Sequence, residues 1–194
     1  ADETAAALGM TTTQAQTAAA GIADLLKPMG FTAEAAAGMS TDLMDLSGAL
    51  SAWSAGKYTA TEASEILAAA MLGERDGLKG LGIAISEADV QARVAANGQA
   101  ELTGAALEQA KAVATQQLIV EKSADAQRAW NDGSMAATQA QNALSASVAQ
   151  AKESVVGLIG PLVSALVPAL TAAVSQVQVF VAWLREHDSV AQAL

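Results

Sequence analysis

Cysteine is absent, histidine occurs once, and aromatic residues make up 3% of the chain. The first absence excludes disulfides and thiolate metal sites and suits a reducing cytoplasm. The second leaves His187, set among Arg185, Glu186 and Asp188, as a solvated histidine. A metal centre would need further ligands at helical spacing, and only carboxylates stand near. The third thins any core, because aromatic side chains carry large buried areas. Positive charge is also scarce: 10 Lys and Arg oppose 20 Asp and Glu, for a net charge of −10. The basic residues are scattered singly, whereas a grip on a phosphate backbone needs them clustered. No sequence-specific nucleic-acid partner is expected, and the acidity serves solubility.

What remains is alanine. Hydrophobic residues make up 52% of the 194, and much of that is Ala. Alanine favours helix and close helix contact over a thick core. The expected fold is all-α: a cluster of short helices followed by long helices in a hairpin or coiled-coil-like arrangement, with one short irregular Gly-rich turn containing an extended stretch. Three regions are expected: residues 1–98 as the short-helix cluster with its Gly-rich turn, 99–153 as a long helical region, and 154–194 as an apolar, uncharged helical segment.

Residues 1–27 read as one helix, with Leu8, Ala15, Ala18, Ile22, Leu25 and Leu26 at roughly helical spacing. Pro28 and Gly30 end it. Thr32 caps a second helix with Glu34 in its first turn, and Met39, Leu43, Leu46, Leu50 and Trp53 form one face. Gly56 breaks that helix, and Thr59 with Glu62 is a capping box for a third, through Leu72. Gly73 stops it. Leu78 and Leu81 give a short turn with one apolar side, and Ile83-Ala84-Ile85 reads as extended. Ser86 with Asp89 starts a helix that ends at Asn97-Gly98. From Ala105 to Trp130 no Gly or Pro interrupts, and Leu107, Val113, Leu118, Ile119, Ala126 and Trp130 form an imperfect stripe. After a break at Asp132-Gly133, Leu144, Val148, Ala151 and Val155 fall at spacings that suggest a coiled-coil seam. Ser154 to Leu184 carries no charge; as one helix it would run roughly 46 Å, more than a bilayer core requires. Pro161, Pro168, Gln176 and Gln178 interrupt it. It reads either as a helix buried between identical copies or as a segment that enters a membrane.

No catalytic, cofactor-binding or metal-binding residue is expected. The glycine-rich Gly73–Gly82 lacks the P-loop order, since Gly80 follows Lys79 where Ser or Thr belongs, and it lacks G-x-G-x-x-G. No pair of carboxylates sits in an apolar setting that would split their pKa values, and no G-x-S-x-G elbow is present. Met39, Met44 and Met71 read as core packing, with an adaptable binding face as the alternative.

The passage GERDGLKGLGIAISEADV, Gly73–Val90, resembles a stretch of tail tape measure proteins of long-tailed bacteriophages and prophages, of the form G-E-x-x-x-L-K-x-L-G-I-x-I-S-E-x-x-V. Gly73, Glu74, Leu78, Lys79, Leu81, Gly82, Ile83, Ile85, Ser86, Glu87 and Val90 fit; Gly77 and Gly80 depart from it. Leu8–Phe31 is similar to the family's preceding helix and turn, and Glu101–Trp130 to its long helix, including Ala124-Asp125-Ala126-Gln127. Trp130-Asn131-Asp132 departs from the residues usual there.

The resemblance implies a structural, non-enzymatic role: setting tail length inside the tube and leaving ahead of the DNA at infection. It implies partners too: copies of the chain itself as a trimer or higher, the tail tube protein, tail-tip or baseplate proteins, tail assembly chaperones and the host membrane. The implied location is the virion tail lumen or tip, with the host cytoplasm during assembly. A single helix of this chain would span at most about 290 Å. Its breaks at Pro28, Gly56, Gly73–Gly82 and Gly98 exclude that single helix, so it reads as a segment of a much longer protein, and the opening ADET suits either processing or a fragment.

Overall fold

The structure, a computed structural model, describes residues 2–157. The fold is all-α, with no strand among the described residues. In chain order the helices are α1 (Asp2–Ala7), α2 (Thr12–Leu26), α3 (Ala33–Trp53), α4 (Ala60–Met71), α5 (Glu87–Ala96), α6 (Gly104–Lys122) and α7 (Ala124–Asn131). Two 3-10 turns, Lys27–Met29 and Asp76–Leu81, sit between them. Residues 136–157 are helical as well. One compact unit is Ala1–Gln150 and a second begins at Ala151. Residues 151–157 of the second unit are exposed helix.

Local chemistry sets most of the helix starts. Thr11 with Gln14, Thr59 with Glu62 and Ser86 with Asp89 form reciprocal capping boxes at α2, α4 and α5. Thr32 accepts from the Ala35 N–H at the start of α3. Each satisfies amides that the first turn would otherwise leave unpaired, at about 1 kcal/mol per cap.

Within the first unit α3 is central and packs on α2, α4 and α7. Leu43 and Leu50 are fully buried on it, facing a core completed by Leu26, Leu67, Leu78, Ile83, Val90 and Ile119. Burying each such side chain contributes about 1.5–3 kcal/mol. The serines buried in α3 are satisfied by backbone carbonyls: Ser40 donates to Ala36 O at 2.7 Å, and Ser47 to Met44 O at 2.6 Å. Ser51 donates to Tyr58 O at 2.8 Å, and the Tyr58 N–H donates to Ser54 Oγ at 3.3 Å, which pins the α3–α4 loop.

Two stretches read as continuous helices are broken. Residues 1–27 divide at Gly9, which adopts φ +75, a region glycine enters without strain. Met10 N–H returns to Ala5 O at 3.0 Å, and Thr11 then restarts the helix. Between Ala105 and Trp130 the break is at Ser123, φ −99 and ψ 7. The Ser123 hydroxyl donates to Val120 O at 3.1 Å, and Gln127 Nε2 donates to the same carbonyl at 2.9 Å. Side chains thus take over the carbonyl that ends α6, without any Gly or Pro.

Of the stripe read from Leu107 to Trp130, Leu118, Ile119 and Ala126 are buried while Leu107, Val113 and Trp130 are half-buried; Ala110, Ala112 and Ala114 are buried as well, and α6 packs on α5 and α4. The boundary drawn at residue 98 therefore falls inside a single unit. Trp53, placed on the buried face of α3, is instead 48% exposed at its C-terminal end. Met44 and Met71 lie in the core, with Met39 packed partly buried against it, so they form no binding face.

Candidate functional site

The glycine-rich passage folds into a junction. α4 ends at Met71, Gly73 N–H then bonds Ala70 O, and Glu74 N–H returns to Ala69 O. The 3-10 turn Asp76–Leu81 follows, with Leu78 and Leu81 pointing into the core. Gly82, at φ +81, reverses the chain, and Ile83 N–H bonds Leu78 O at 2.9 Å. Ile83 and Ile85 are buried while Ala84 between them is exposed, an alternation of two with no partner strand. The Ser86–Asp89 box then opens α5.

Gly80 and Gly77 find their reason in the neighbours. A Cβ on Gly80 would lie 2.2 Å from Tyr58 Oη, and one on Gly77 would lie 3.1 Å from Ile66 Cγ2. Glycine at position 80 is what lets the Tyr58 ring lie over the turn. Lys57 in turn sits 5.2 Å above the Tyr58 ring centroid.

An ion-pair network ties the junction to the helices that follow. Arg75 Nη1 donates to Glu87 Oε2 at 2.8 Å, and Lys111 Nζ stands 3.5 Å from Glu87 Oε1 and 3.2 Å from Glu108 Oε1. Burial works to raise the Glu87 carboxyl, but hydrogen bonds from Arg75 and Gln91 and the charges of Arg75 and Lys111 outweigh it, leaving its pKa below the ordinary value. Lys122 Nζ donates to Ala84 O at 2.8 Å, which holds the extended stretch to the end of α6. Arg75 Nε has no partner among the described residues. The network is a brace between elements, without a nucleophile or proton-transfer pair.

Open concavities lie among the described residues of the first unit. Between α2 and α4 runs an open groove of about 620 Å³, floored by Ala18, Gly21, Ala68 and Ala69 and rimmed at one end by Leu25 and Leu72. Its charged lining residues, Glu65 and Glu74, are both acidic. Near Arg75 a smaller hollow of about 420 Å³ is lined by Ile66, Ala69 and Gly77. Between α3 and α7 lies a more polar one with Asp42, Asp45, Gln127 and Trp130. There burial, and then the neighbouring Asp42, push the Asp45 carboxyl up from its ordinary value.

No group of three or more His, Cys, Asp or Glu side chains placed to hold a metal occurs among the described residues. Nor is any helix there long and apolar enough to cross a membrane. His187 and most of the uncharged segment 154–184 lie outside the described residues.

Two features were missed in the sequence. Gly48, in the middle of α3, is where Leu8 and Trp130 approach the helix backbone, so that a Cβ there would meet Leu8 Cδ2 at 2.2 Å. A glycine inside a strongly helical run is the signal that could have marked it. The α2–α4 groove was missed because both helices bury one side and the groove lies along what is left over. Comparison with protein-family models, with curated proteins and with solved structures found no match for the chain.

Proposed function

We propose that the chain is a structural segment of a phage tail tape measure protein, lodged in the tail tube during assembly, contributing to tail length and released ahead of the DNA. It acts without catalysis, by shape, self-association and apolar surface. Its partners on this reading are copies of itself, as a trimer or higher, the tail tube and tail-tip or baseplate proteins, tail assembly chaperones and the host membrane. The observation that carries the reading is the ordered set of resemblances along the chain, centred on Gly73–Val90. It is supported by the lack of a reactive constellation at that passage, which is a brace and a chain reversal.

The intact mass of the natural gene product tests it. A rod of about 1000 Å needs roughly 670 helical residues. A product several times larger than this chain upholds the ruler role; one that ends near residue 194 is too short for it and overturns it.

A second reading rests on the run from Ser154 to Leu184, which carries no charge: a membrane-active segment that inserts as a helical hairpin broken near Pro161 or Pro168. It predicts flotation with liposomes that is lost in the Leu166→Lys variant, and a failure to float at any lipid composition removes it.

A further inference from the structure

We infer that the α6–α7 junction is a two-state hinge: α7 is a strap, bent at Ser123 while it docks on α3, that continues α6 as one straight helix when it lifts off. The sequence across the junction asks for continuity. From Ala105 to Trp130 it holds no Gly or Pro, and the strong helix formers Ala, Glu, Lys, Gln and Arg make up most of it.

The helix nonetheless stops. Ser123 N–H bonds Ile119 O and Gln127 N–H bonds Ser123 O, both in helical register. Between them Ala124, Asp125 and Ala126 make no backbone bond to Val120, Glu121 and Lys122, as a continuous helix would. The Val120 carbonyl accepts instead from the Ser123 hydroxyl and Gln127 Nε2, and Gln127 Nε2 also stands 2.8 Å from Ser123 Oγ. The backbone at Ser123, φ −99 and ψ 7, lies about 36° and 49° from the α-helical values. Closing the break therefore takes a rotation about two bonds, with no positive φ to undo.

The seat that holds the bend is small. On α7, Ala126 alone is buried. Trp130 is half-buried over Gly48, where an added Cβ would lie 3.4 Å from its ring, and Gln139 Nε2 donates to Trp130 O at 2.9 Å. Beside that contact, α3 and α7 leave a hollow of about 560 Å³, lined by Asp42 and Asp45 and by no cation. Three backbone hydrogen bonds are thus forgone for one buried alanine, one half-covered ring and a few side-chain bonds. Net hydrogen-bond gains are small and so is the seat, so the two forms stand near balance, the condition for both to be populated. With α7 released, Gly104 to Asn131 is one helix of roughly 42 Å, and the Gly48 side of α3 loses the Trp130 ring.

Spin-label distances on the full 194-residue chain, which has no cysteine of its own, test the hinge. Labels go on Ala106→Cys and Asn131→Cys, both exposed positions. Along one straight helix they stand roughly 38 Å apart, and closer in the bent form. Ser123→Ala with Gln127→Ala returns the Val120 carbonyl to the Ala124 N–H and raises helix propensity. This pair is expected to raise the population near the straight-helix distance at least about threefold over the parent, and to slow amide exchange at Ala124, Asp125 and Ala126 by a similar factor. Ser123→Ala alone should move both readings the same way by less. Adding Ala124→Pro to the pair should return the distance, and exchange at Asp125 and Ala126, to the parent's, because proline fits the first position of α7 but not the middle of a helix. A distance distribution unchanged in both the single and the double variant overturns the hinge. So does exchange at those amides that stays as fast or quickens, the mark of a junction that has only loosened.

Discussion

The core around α3 and the helix beyond residue 136 are made from similar alanine-rich sequence and come to opposite ends. Around α3, Leu43, Leu50 and Leu67 are fully enclosed, and the helices that carry them begin at side-chain caps. Beyond 136, Ala146 is buried while Leu144 and Val148 stand in solvent. Amphipathic spacing is present in both. What separates them is whether a second and third helix close over the apolar side. An apolar stripe in an alanine-rich chain thus marks a helix, but does not by itself say that the stripe is enclosed.

The contrast can be broken most strongly at its buried end. Leu67→Ala is expected to lower unfolding free energy by about 2–5 kcal/mol, whereas Leu144→Ala should shift it by less than about 0.5 kcal/mol in the monomer. Urea titration of dilute protein reads both, and equal losses would mean that the helix after 136 belongs to the same cooperative core.

Close approach comes next. Gly48→Val drives a side chain into Leu8 and toward Trp130, and a loss of about 1–3 kcal/mol is expected. Adding Leu8→Ala should return part of it, and no recovery would show that the crowding lies elsewhere.

Thr115 is fully buried in α6, and its hydroxyl has no partner among the described residues. Thr115→Val keeps the shape and removes the orphaned polar atom, so a gain of about 1 kcal/mol is expected in thermal or urea unfolding. A loss would reveal a partner for the hydroxyl.

Removing a cap probes local against tertiary control. Thr59→Ala is expected to cost about 1 kcal/mol, and helical content by circular dichroism should report whether α4 frays with the core intact.

The smallest effect concerns the brace. Because the Glu87 pKa is lowered in the folded chain from its ordinary value of 4.5, its contribution is complete above that value and is lost as pH falls through the lowered one. Asp45 has the opposite sign: its pKa is raised, so the folded chain loses stability relative to the unfolded one as pH climbs through the ordinary range of an aspartate and beyond. With the Glu87 side chain 48% exposed, the pair with Arg75 is worth under about 1 kcal/mol. Glu87→Gln should flatten stability below pH 4.5, and an unchanged acid slope would remove Glu87 from the account.

The helix starts were the most legible part of the fold. Thr32, Thr59–Glu62 and Ser86–Asp89 act within four residues, and the structure places a helix N-terminus at each. The all-α class followed from alanine content and spacing. Breaks without Gly-Pro punctuation were not legible: Ser123 ends α6 through hydrogen bonds that Gln127 completes from the next helix. Gly9 was passed over because a single glycine in a run of alanines looks tolerable until tertiary contacts decide. The candidate site was half legible. The glycine-rich junction stood out by composition, whereas its brace joins Arg75, Glu87 and Lys111 across separate elements, and the groove is a property of two packed helices that neither reveals alone.

The reciprocal caps have a kinetic side. A helix whose first turn is specified by a Thr or Ser and the residue three places on can nucleate before distant parts of the chain have met. Nucleation is the slow step of helix formation, and α2, α4 and α5 each carry their own starter. Chains rich in such near-neighbour instructions fold on the microsecond-to-millisecond scale. Pulling such a chain apart removes the packing that stabilises its short helices but leaves in α2, α4 and α5 the local contacts at which each helix restarts.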